Sequence, residues 1–65
     1  MITTEIFTKA FFKANISKTE LEGITGVDKN NILKYIKGEH ELKFSTFKRL
    51  MNGLGKEVEI IVKDK

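Results

Sequence analysis

From Ile6 to Leu54 the apolar residues recur at helical spacing, and from Glu57 onward the period changes to two. No other feature constrains the fold as much. Val58, Ile60 and Val62 alternate with Glu57, Glu59, Ile61 and Lys63, which is the pattern of a strand over 57–63. A lone strand carries backbone N–H and C=O groups that helices cannot satisfy. The same strand from a second copy can pair with it antiparallel about a two-fold axis. Residues Met1 to Thr3 are the intrachain alternative, and they are too few to cover the edge. The pattern therefore points to a homodimer joined through Val58, Ile60 and Val62.

Length argues in the same direction. Sixty-five residues make one domain, 1–65, and a chain this small buries only about 60% of its unfolded surface. Such domains draw extra stability from disulfides, a metal or a partner chain. With no cysteine and a single histidine, disulfides are removed and no metal-ligand cluster or cofactor site is expected. The lack of cysteine fits a reducing, cytoplasmic setting. No apolar run approaches the ~20 residues of a membrane span, and no signal peptide is evident. Twelve Lys and Arg against nine Asp and Glu give a net charge of +3 and a pI near 9.3. That balance suits nucleic acid where the cations cluster.

Four helices account for the rest. Thr3 or Thr4 can cap a first helix running to Ala14, with the stripe Ile6, Phe7, Ala10, Phe11 and Ala14 inward and Asn15 as a left-handed stop. Phe12 lies off that stripe and has to meet either the C-terminal segment or another chain. Ser17-Lys18-Thr19-Glu20 is a capping box opening a second helix, which turns Leu21 and Ile24 inward and halts at Thr25-Gly26. Asp28 caps a third helix, Lys29 to Lys37, ended by Gly38. Its buried face is Ile32, Tyr35 and Ile36. On the other side Asn30, Leu33, Lys34 and Lys37 form one stripe at i, i+3, i+4 and i+7. Glu39 to Lys43 reads as a polar loop. A fourth helix, Phe44 to Leu54, buries Phe44, Phe47, Leu50, Met51 and Leu54 and stops at Gly55.

Residues 17–38, two short helices around the turn Thr25-Gly26-Val27-Asp28, resemble the helix-turn-helix of the Cro/phage-repressor (XRE) family. Ser17, Leu21, Gly26, Val27, Ile32, Tyr35 and Gly38 carry the pattern. Phe44-Ser45-Thr46-Phe47-Lys48-Arg49-Leu50 and Leu54-Gly55 extend it, so the likeness covers residues 16–62. With the terminal strand added, the layout is most similar to HipB-type antitoxin-repressors. The resemblance implies a mainly α fold: a four-helix, lambda-repressor-like domain plus one C-terminal β-strand paired across a dimer. Glu22 stands where the family usually has alanine. Either Gly23 then supplies the close approach of the helices, or Glu22 stays at their interface and pairs with Lys29.

The resemblance also implies which residues touch double-stranded DNA. The base-reading positions fall on Lys29, Asn30 and Lys34, with Asn31 in the same exposed turn. Asn can bond adenine in bidentate fashion and Lys can donate to guanine O6 and N7. Leu33 either touches a thymine methyl or fills the core against the fourth helix. Phosphates suit Ser17, Lys18 and Thr19 at a helix N-terminus, Lys37, His40 and Lys43 around the loop, and Ser45. Seven cations lie between Lys18 and Arg49.

Nothing points to catalysis: there is no nucleophile–base pattern and no glycine-rich phosphate loop. The expected function is that of a dimeric, sequence-specific transcriptional regulator. A repressor of a palindromic operator, in a phage, mobile-element or toxin–antitoxin setting, fits best. The alternative is a small protein inhibitor, an antitoxin or a phage-encoded inhibitor of a host defence, whose main target is a toxin or other protein.

Overall fold

The computed structural model describes residues 2–59. Four helices span α1 Ile2–Ala14, α2 Lys18–Thr25, α3 Lys29–Lys37 and α4 Phe44–Gly53. Their packing forms a closed ring: α1 lies on α4, α4 on α2, α2 on α3, and α3 on α1. The backbones of the diagonal pairs, α1 with α2 and α3 with α4, stay apart, and these helices meet only through the shared core. Between them sits the core of Phe7, Phe11, Leu21, Val27, Ile32, Leu42, Phe47, Leu50 and Met51.

Local chemistry sets most boundaries. Asn15 takes a left-handed φ of 56° after α1. The Glu20 N–H donates to Ser17 Oγ at 3.0 Å, capping α2. The reciprocal half of the expected capping box is not formed, and Glu20 stays exposed. Gly26 and Gly38 close α2 and α3 at φ of 79° and 76°, a region costly for residues with a Cβ. Between α2 and α3 the Thr25 hydroxyl does double duty. It donates to the Leu21 carbonyl at 2.8 Å and accepts the Val27 N–H at 3.2 Å, holding the turn from inside.

Several expectations are corrected where chain crossings decide the outcome. Helix α1 begins at Ile2, so Thr3 and Thr4 are inside it rather than capping it. The Thr3 hydroxyl instead donates to the Leu42 carbonyl at 3.0 Å, a group that burial removes from water. Leu42, in the stretch read as a polar loop, is only 1% exposed and belongs to the core. Ile24 is 57% exposed and Phe44 41%, because the ring of helices leaves both outside. Ile6 and Ala14 are also exposed, narrowing the α1 stripe to Phe7, Ala10 and Phe11. Leu54 follows α4 as its cap and packs on the core from there.

Of the two alternatives for the contact of α2 with α3, close approach at Gly23 is not the one taken, and the tight glycine lies on α4 instead. At Gly23 a Cβ would meet nothing, whereas at Gly53 it would overlap the Thr25 methyl and lie 3.4 Å from methyls of Leu21 and Ile24. Gly53 thus sets the distance between α2 and α4.

Beyond Gly55 the chain has no regular structure over residues 56–59. Val58 still packs on the core while Glu57 and Glu59 stay exposed, which preserves the alternation of the sequence. Ile60 and Val62, and with them most of the expected strand over 57–63, lie outside the described residues. Ile2 and Thr3 are helical and so are not free to pair with it. No helix among the described residues is long and apolar enough to cross a membrane.

Candidate nucleic-acid interface

Helix α3 turns one face into the ring and the other away from it. Ile32 is fully buried, and Tyr35 and Ile36 pack beside it. Lys29, Asn30, Asn31, Lys34 and Lys37 are exposed. Leu33, on the same outward stripe, is half-buried yet is not among the apolar residues packed on the core. The result is a short polar surface, one apolar side chain near its middle, on a helix with a rigid back.

Both ends of that helix are fastened. Gly38 donates to the carbonyls of Lys34 and Tyr35, and the Glu39 N–H reaches Lys34 at 2.9 Å. At the other end Asp28 Oδ1 accepts the Asn30 N–H at 2.7 Å, the expected cap. A second carboxylate joins it: Glu22 Oε2, from α2, accepts the Lys29 backbone N–H at 3.0 Å. Glu22 therefore meets Lys29 at its main chain. Of the two alternatives open at Glu22, the fold takes the pairing with Lys29, but through the main-chain amide, which residue types alone do not reveal.

The N-termini of α2, α3 and α4 consequently differ in what they offer an anion. At α3 the first two amides are taken by carboxylates. At α2, Ser17 occupies only the Glu20 amide, leaving those of Lys18 and Thr19 to solvent or a phosphate. At α4 the cap position is Lys43, which makes no side-chain cap bond. The amides of Phe44, Ser45 and Thr46 open that helix beneath a cation. Ser17, Thr19, Lys37, His40, Lys43 and Ser45 are exposed, and Lys18 is half-buried.

The sequence reading did not anticipate a groove between α2 and α4. Ile24, Thr25, Ser45, Lys48, Arg49, Asn52 and Gly53 line it, with two cations and no carboxylate. Its sequence signal is Gly53, the last residue of α4, which lets α2 come close and leaves Lys48 and Arg49 flanking the crossing. Away from α3, Phe12 is 65% exposed and rests edge-on against Phe11 with ring centroids 5.5 Å apart. Among the described residues no group of three His, Cys, Asp or Glu is arranged to hold a metal. No family model, curated protein or solved structure matches this chain.

Proposed function

We propose that this chain is a dimeric, sequence-specific DNA-binding protein of the cytoplasm. It would regulate transcription by occupying a palindromic operator, in the manner of the Cro/phage-repressor family that its sequence resembles. One observation carries the reading. The outward stripe of α3 presents Asn30, Leu33, Lys34 and Lys37 on a short helix whose back is buried and whose two ends are hydrogen-bonded. That is what a major-groove reading element needs, namely side chains that match base edges and a backbone that does not yield. Lys18, Lys43 and the open amides of α2 and α4 would meet phosphates around it. The partner strand over 57–63 would set two such helices about one DNA turn, ~34 Å, apart. Selection of bound sequences from a random DNA pool tests the proposal. Enrichment of a two-fold symmetric site is the expected result, and binding without sequence enrichment overturns it.

The exposed Phe12 favours a second reading, as a small inhibitor of a toxin or of a host-defence protein. Under it, Phe12→Ala would abolish target inhibition while leaving selection of DNA sequences unchanged.

A further inference from the structure

Helix α3 is unusual in having its first two amides held by carboxylates from two different places. Asp28 lies at its own start and bonds Asn30 locally. Glu22 reaches across the turn from α2 and bonds Lys29 seven residues on. A local cap travels with its helix, so it resists fraying but not rotation about the helix axis. An acceptor fixed on a neighbouring helix resists both. Glu22 is half-buried on α2, which packs on α3, and its bond to Lys29 lies at the solvent-exposed edge of that contact.

Rotation matters for a helix that reads bases. Side-chain ends lie about 5–6 Å from a helix axis, so a roll of roughly 20° displaces them by about 2 Å. That is more than a hydrogen bond tolerates. We infer that Glu22 is a positioning residue: by holding the Lys29 amide it fixes the roll of α3, and with it which base edges Asn30 and Lys34 reach. The inference rests on α3 being the base-reading helix.

Two conservative variants separate reach from charge. Glu22→Gln keeps an acceptor oxygen at the same distance and loses the charge; Glu22→Asp keeps the charge and is one methylene too short. Amide exchange of the free protein, followed by NMR, reads the Lys29 bond directly, and selection from a random DNA pool reads the specificity. Glu22→Asp is expected to speed Lys29 exchange about tenfold. It should also cut the preference for the selected bases about tenfold, with binding to random DNA unchanged. Glu22→Gln should match the wild type in both. The inference is overturned if Asp leaves Lys29 exchange unaltered or if Gln behaves like Asp. It is equally overturned if exchange rises while the selected sequence and its preference stay the same. A wild-type protein that selects no sequence removes the DNA reading itself, and amide exchange then still reports whether Glu22 holds α3.

Discussion

Asn30 and Lys34 stand one turn apart on the open side of α3, and neither contributes to the core. Replacing either with alanine should leave stability nearly unchanged. It should cost ~1–3 kcal/mol on the selected DNA while largely sparing random DNA. Equal losses on both, measured by titration, would show that neither residue reads bases. Gly53 is the opposite kind of residue, exposing little chemistry and fixing a distance. A single methyl there meets the Thr25 methyl directly, so Gly53→Ala should destabilise by about 1–3 kcal/mol in denaturant unfolding. Gly23→Ala, with open space around it, should instead stabilise α2 by about 0.5–1 kcal/mol, because glycine is a poor helix former.

At the scale of the element, the termini were readable because they are local chemistry. Asp28 and Gly38 bound α3 as their residue types dictate, and Ser17 and Gly26 bound α2 in the same way. What the sequence hid was the outcome of crossings. Leu42 sits among Glu39, His40, Glu41 and Lys43, and no window of such polarity announces a buried residue. Only the arrival of α1, with Thr3 bonded to its carbonyl, makes it core. Ile24 and Phe44 fit helical spacing yet lie outside, because the ring closes on other faces. The outward stripe of α3 was legible for the complementary reason: spacing alone decides which residues oppose Ile32. Helix α4 supplies a further test, because its cap position holds Lys43 without a cap bond. Lys43→Ser should add the missing acceptor and raise stability by about 0.5–2 kcal/mol. If Lys43 also clamps phosphate, the same change should weaken binding to all sequences and lower the salt slope by about one unit. An unchanged slope would place Lys43 outside the contact.

For the whole molecule, the ring of four helices is completed without the terminal strand, and Val58 alone of the proposed seam rests on it in the described residues. The proposed dimer would add Ile60 and Val62 from two chains, and burying each such side chain is worth about 1.5–3 kcal/mol. Ile60→Asp sets two like charges close together in that apolar seam. It should yield a monomer of reduced stability, with operator affinity falling toward that of a half-site. Sedimentation decides it, and a folded dimer in the mutant would move the two-fold contact elsewhere, with the exposed Phe12 the next surface to change.

The same ring has a consequence for how the chain emerges during synthesis. Helix α1 lies along α3 and α4 and not along α2, so the helices that flank Phe7 and Phe11 are not the one translated directly after them. Their shelter is complete only when Met51 has been added, 40 residues after Phe11. At ordinary elongation rates that is an interval of about 2–8 s. For that time an aromatic helix with Ile2, Ile6 and Phe12 on it waits in the nascent chain with its core incomplete, a natural substrate for chaperones. A stalled product ending before α4 would keep that surface for good, which makes rapid proteolysis its expected fate.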